Sequence, residues 1–149
     1  MQNYLYPATF PIMTSAALQT LIDDFALFDD WEDRYRYLID MGRKLPAMDD
    51  GLKTETNLVK GCTSRVWMDA QINDNILTFT ADSDAHIVRG LIAILHQVYN
   101  GQSLNEISAI DIEDGFTQMG LDQNLSPNRR NGFFAMVEKI EEIRGKREE

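Results

Sequence analysis

The stretch Arg65-Val66-Trp67-Met68-Asp69-Ala70-Gln71-Ile72-Asn73-Asp74-Asn75-Ile76-Leu77-Thr78-Phe79-Thr80-Ala81-Asp82 decides the fold. In its first half Val66, Met68, Ala70 and Ile72 fall on one side and Arg65, Trp67, Asp69 and Gln71 on the other, the period of two that a half-buried strand requires. Asn73-Asp74-Asn75 then supplies residue types that tolerate positive φ. Beyond it Leu77, Phe79 and Ala81 alternate with Thr78, Thr80 and Asp82, so the chain returns as a second strand and the pair reads as an antiparallel hairpin with one apolar face.

That face needs a cover, and the next segment offers one. Ser83 can cap a helix whose Ile87, Val88, Leu91, Ile94, Leu95 and Val98 form a broad apolar stripe, ended by Asn100-Gly101 and expected to lie across the sheet. Upstream, Thr14 or Ser15 can cap a helix with Leu18, Leu21, Ile22 and Phe25 on one face. Asp29 or Asp30 can cap a second with Trp31, Tyr35, Leu38 and Ile39 aligned, ended by Gly42 and Pro46. Met48 to Asn57 is polar and aperiodic and reads as a loop. Downstream, Ser103 and Glu106 have capping-box spacing for a short helix. Ser126-Pro127 starts a last helix bearing Phe133, Val137 and Ile140, with Phe134 and Met136 read as core. The fold class is α+β, a small antiparallel sheet packed with helices. The expected organisation is one domain over residues 1–149, with 1–13 an extended N-terminal segment and 145–149 a flexible tail.

With 149 residues, 44% of them hydrophobic and 26% charged, the chain can bury a core without staples. Twenty-four acidic against 14 basic residues give a net charge of −10, which repels nucleic acid and anionic membrane and points to protein partners. The start has no cationic n-region and carries Pro7 and Pro11, so no secretory signal is expected, and no apolar run reaches the length of a membrane span. A single cysteine with no targeting segment points to a reducing cytoplasm.

That cysteine, Cys62, is the candidate for chemistry. One thiol closes no intramolecular disulfide and makes no cysteine-only metal site, so it acts on something that another molecule brings, or else it is a small buried hydrophobe. Gly61 can turn the chain sharply and present Cys62 at a loop tip. Lys60 and Arg65 either favour the thiolate or are solvated surface charge. His86 and His96 are ten residues apart on one helix, too far to share a metal, although a Cys62–His86 nucleophilic pair is open if the helix start approaches the loop. No phosphate loop, CxxC or HExxH occurs, and Asp82 and Asp84 read as helix-capping carboxylates.

The chain resembles the SufE family of sulfur acceptor proteins. The resemblance is carried by Trp31, Arg34-Tyr35, Leu38-Ile39, Gly42 and Leu45-Pro46, then by Gly61-Cys62, Ser64 and Val66-Trp67. It continues in Asp82-Ser83-Asp84-Ala85, Ile87-Val88 and Gly90-Leu91 and ends in Leu125-Ser126-Pro127, Arg129 and Gly132. It implies a SufE/NifU-like fold and a partner-dependent sulfur carrier rather than an enzyme. Cys62 would take persulfide sulfur from a SufS-like or CsdA-like pyridoxal-phosphate cysteine desulfurase, stimulate that enzyme, and pass the sulfur to an iron–sulfur scaffold. The cofactor belongs to the partner, and none is expected on this chain. A CsdE-like branch would deliver sulfur elsewhere, for instance to tRNA modification; a thiol redox sensor and an adaptor are the readings outside sulfur transfer. Gly61, Ser64, Arg65, Asp82, Asp84, His86 and Arg129 are the supporting or docking residues, with Arg129 expected near the loop. The loop is expected to tuck Cys62 against apolar neighbours and release it when the desulfurase docks. Thr63 and Arg65 stand where the family pattern has polar amides, Ala81 replaces a frequent glycine, and Asn128 replaces a serine.

Overall fold

The computed structural model describes residues 15–148; the expectations for residues 1–13 and for Thr14 lie outside them. The hairpin forms as its alternation requires. β1 (Val66–Asn73) pairs antiparallel with β2 (Ile76–Ser83) in register from Val66↔Ser83 to Asn73↔Ile76. The two-residue turn is Asp74-Asn75, with φ of 52° and 67°, the left-handed pair that matches the twist of a tight hairpin. Val66, Met68, Leu77, Phe79 and Ala81 are buried on the inner face.

The cover is α3 (His86–Tyr99), which is buried on almost every side because it is the central element: the sheet lies against one face and α2 (Trp31–Arg43) against another. α2 and α3 cross at Gly42 and Gly90. A Cβ added at Gly42 would stand 2.7 Å from the Gly90 nitrogen, so Gly42 is a close-approach residue inside the helix and not its terminator. α2 turns Leu38, Met41 and Gly42 inward, while Tyr35, expected on that face, is exposed. α1 (Ala16–Ala26) packs Leu18, Leu21, Ile22 and Phe25 into the core, and Ser15 caps it by accepting from Leu18 N at 3.1 Å; Asp30 caps α2 in the same way.

Ser83 is not the N-cap of α3. Strand pairing continues through it, so its buried hydroxyl meets the opposite strand and donates to Arg65 O at 2.6 Å; the cap position falls to Ala85. After α3, Gly101 at φ 82° turns the chain into a two-residue strand, β3 (Gln102–Ser103), which pairs with β2 and completes the order β1-β2-β3. The expected capping box of Ser103 and Glu106 is present at the start of α4 (Leu104–Ser108). α5 (Ile112–Gln118) and α6 (Leu121–Asn124) lead to α7 (Pro127–Glu148), which buries Phe133, Met136 and Ile140. Each large apolar side chain removed from water contributes about 1.5–3 kcal/mol, whereas exposed pairs such as Arg36–Asp33 contribute less than about 1 kcal/mol. The core therefore fixes the fold. Among the described residues no helix is long and apolar enough to cross a membrane.

Candidate functional site

Cys62 lies on a loop whose two stems are tied differently. On the N-terminal side Leu58 bridges to Trp67 and Val59 N donates to Val66 O at 2.8 Å, so two residues extend the free edge of β1. Gly61 then turns at φ 92°, in the left-handed region, and an added Cβ would also press on Ala135 at 3.3 Å. On the C-terminal side the backbone of Arg65 is held three times: its N–H donates to Asp84 Oδ1 at 3.2 Å, and its carbonyl accepts from the Ser83 hydroxyl and from Asp84 N at 3.4 Å.

Between these stems the Cys62 side chain turns toward α7, with Sγ 3.7 Å from Gly132 O and the thiol as donor. It faces a cavity of about 200 Å³ whose apolar wall is made by Val66, Val88, Leu91, Phe133 and Met136. The polar edge includes Ser64 and Arg129, joined by a 2.9 Å hydrogen bond from the guanidinium Nη1 to the serine hydroxyl. Arg129 is therefore beside the loop, as expected. It stands in the first turn of α7, where its N–H donates to Ser126 Oγ at 3.3 Å.

The electrostatics correct one expectation. Burial raises the Cys62 thiol above its ordinary value of 9.0; Lys60 and Arg65 are exposed while the sulfur faces the cavity, and Arg129 at the cavity edge is bonded to Ser64. The loop tip does not present the thiol; it half-buries it in the protonated form, a poor nucleophile. The Cys62–His86 pair is not formed either. His86 is exposed on the first turn of α3 and is absent from the cavity wall, and the thiol's hydrogen-bond partner is a backbone carbonyl. His96 is half-buried with its ring 5.2 Å from Phe79, and burial holds it below 6.5. No group of three potential metal ligands occurs among the described residues.

The two aspartates take roles other than capping. Asp82, with its side chain 15% exposed, accepts from Ser83 N at 2.8 Å and pairs with Arg89 at 3.1 Å and Lys53 at 3.1 Å. Lys53 also sits 5.8 Å over the Trp67 ring. Asp82 thus clamps the segment preceding the cysteine loop to the sheet, while Asp84 is exposed and holds Arg65. What the sequence did not mark is the double duty of Phe133, Met136, Val88 and Leu91: they are core residues by periodicity, and they also wall the thiol cavity. Helical spacing identifies the buried face but not the place where it is left unfilled.

Comparison with known proteins agrees over nearly the whole chain. The family model described as SufE, Fe-S metabolism associated domain, matches residues 19–144. An uncharacterized SufE-like protein of Rhizobium etli is 46% identical over 131 residues, covering 85% of this chain and 88% of the relative. The sulfur acceptor protein CsdE of Escherichia coli K12 is 37% identical over 134 residues, covering 89% and 91%. The solution structure of a hypothetical protein from Thermus thermophilus superposes with a TM-score of 0.74 at 18% identity, over 90% of this chain and 97% of that one, a likeness of fold.

Proposed function

Because the chain belongs to the SufE family, we propose that it is a sulfur acceptor and carrier working through Cys62, with a pyridoxal-phosphate cysteine desulfurase as donor and an iron–sulfur scaffold as recipient. The observation that carries the reading is the cavity beside the thiol. Its volume of about 200 Å³ is several times the ~30 Å³ that a water molecule occupies in the liquid, so a second sulfur on Cys62 has room in largely apolar surroundings. A persulfide held there is kept from the oxidants and thiols that would consume it.

In the transfer step the Cys62 thiolate attacks the outer sulfur of the donor persulfide. A bond forms between Sγ and that sulfur, the donor's S–S bond breaks, and the donor cysteine leaves as a thiolate; no net oxidant or reductant is consumed. The chain needs no cofactor of its own for this step. Since the resting thiol is protonated and inward-facing, attack requires the loop to open and the proton to pass to solvent or to a base of the donor. Arg129 and Ser64 hold the loop, Asp84 and Gly61 set its stems, and Asp82 anchors the segment before it. A single free thiol of this kind belongs in a reducing cytoplasm. The test is desulfurase turnover, followed as alanine released from cysteine. Wild type should stimulate it and Cys62→Ser should not; equal stimulation by both would make the chain a docking adaptor instead of a carrier.

A further inference from the structure

Gly132 has no conformational or packing reason to be a glycine. It lies inside α7, and its φ is not among the positive values that fix Gly61, Gly101 and Gly120. A glycine in a helix interior weighs against folding by a factor of about two to five relative to alanine. Three other helical glycines offset that cost by close approach: a Cβ at Gly42, Gly90 or Gly115 would come under 3.0 Å from a neighbouring helix. A Cβ at Gly145, near the end of α7, would meet nothing. At Gly132 it would meet one atom outside its own stretch of helix, the Cys62 sulfur, at 3.7 Å.

The backbone at this point belongs to the thiol's surroundings. Gly132 lines the cavity, and its carbonyl accepts from Cys62 Sγ. Phe133 and Met136 of the same helix wall the cavity with buried side chains, so the gap that α7 leaves at position 132 falls where the sulfur lies. We infer that Gly132 is a positioning residue for sulfur acceptance: its missing side chain leaves the place that the outer sulfur of a Cys62 persulfide takes while the loop is closed. The persulfide comes from the acceptor reading, on which the inference rests. A thiol fits the closed loop beside glycine or alanine alike, since 3.7 Å is an ordinary contact. A persulfide adds a second sulfur about 2 Å beyond the first, and a methyl group at position 132 competes for that space. Alanine there distinguishes two states of one cysteine, admitting the thiol and excluding the persulfide.

The experiment compares wild type with Gly132→Ala in the full chain. Cys62 is loaded by two routes, with cysteine and a SufS-like or CsdA-like desulfurase, and with sodium tetrasulfide. In the second route the Cys62 thiolate attacks a terminal sulfur of the tetrasulfide, the new S–S bond forms, and trisulfide leaves. The species one sulfur heavier is desalted, and its loss to glutathione is followed by intact mass. On Gly132→Ala the persulfide should fail to accumulate or be lost at least about fivefold faster than on wild type, since a methyl forced into filled space shifts the loop toward its open form. Iodoacetamide labelling of the thiol form should match wild type, and the urea midpoint should be equal or higher. A Gly132→Ala persulfide that survives as long as that of wild type would overturn the inference and leave the acceptor reading standing. A lowered midpoint would overturn it too, because packing would then require the glycine. A lifetime that depends on Gly132 after tetrasulfide, with no sulfur gained from either desulfurase, would support the inference and refute the acceptor reading.

Discussion

Ser64→Ala should make the resting cysteine more reactive without a partner. The serine hydroxyl accepts from Arg129 Nη1 at 2.9 Å and is the side-chain tie between the cysteine loop and the first turn of α7. Removing it leaves the guanidinium free to be solvated at the cavity edge, so no buried donor is stranded and the loss is that of one charge-assisted bond in a half-buried place, about 1 kcal/mol. If Cys62 is alkylated from an open loop in rapid equilibrium with the closed one, 1 kcal/mol raises the open population about fivefold, and the rate with it. The assay is iodoacetamide labelling followed by mass, from pH 7 to 10. Wild type should label slowly, with a midpoint above the ordinary 9.0 because closure disfavours the thiolate; Ser64→Ala should label about fivefold faster at neutral pH, with its midpoint moved down toward 9.0. Ser108→Ala, which removes a hydroxyl bonded to Asn105 O on α4, serves as the control and should leave the rate unchanged. The reasoning is refuted by a folded Ser64→Ala that labels at the wild-type rate, or by an equal acceleration in the control.

Two further outcomes concern the scaffold. Gly90→Ala would drive a Cβ into the backbone carbonyl of Leu38 where α2 and α3 cross, so it should lower stability by roughly 2 kcal/mol or more in urea unfolding, since two helices and not one side chain must give way. Stability should also fall on the alkaline side. Burial holds Cys62 above 9.0, and burial with smaller contributions from Glu141 and Asp111 holds Tyr99 above 10.0, so the native state keeps protons that the unfolded chain releases. Their contribution is complete below pH 9 and is lost as pH rises through the folded values. Cys62→Ala should remove the earliest part of that decline in a series of unfolding curves, leaving the part that starts near pH 10.

The hairpin, the three long packed helices and the start of α7 were legible because each rests on a local rule: alternation across Val66–Ala81, a polar cap at Ser15, Asp30, Ser103 and Ser126, and apolar spacing along α1 and α3. The helices α5 and α6 were not, although Asp111 and Ile112, Phe116 and Met119 have the cap and the spacing, because Gly115 and Gly120 interrupt short segments that depend on tertiary packing. Ser83, Asp82 and Asp84 look like caps in the sequence. They became ties to Arg65, Lys53 and Arg89 because β2 runs on through Ser83, and the cross-strand partners decide the role. At the site, the resemblance brought Gly61, Cys62, Ser64 and Arg129 forward, and the fold places Ser64 and Arg129 in contact at the thiol. The inward turn of Cys62 is the tucked arrangement expected of the loop, but the rise in its pKa was not readable from neighbouring charges, since Lys60 and Arg65 are close in sequence but do not set the sulfur's surroundings.

The most direct measurement is the intact mass of the protein after incubation with cysteine and a pyridoxal-phosphate cysteine desulfurase, for wild type and Cys62→Ser, before and after a thiol reductant. The account predicts a gain of one sulfur on wild type, absent from Cys62→Ser and removed by the reductant. An unchanged wild-type mass with both SufS-like and CsdA-like desulfurases would contradict it.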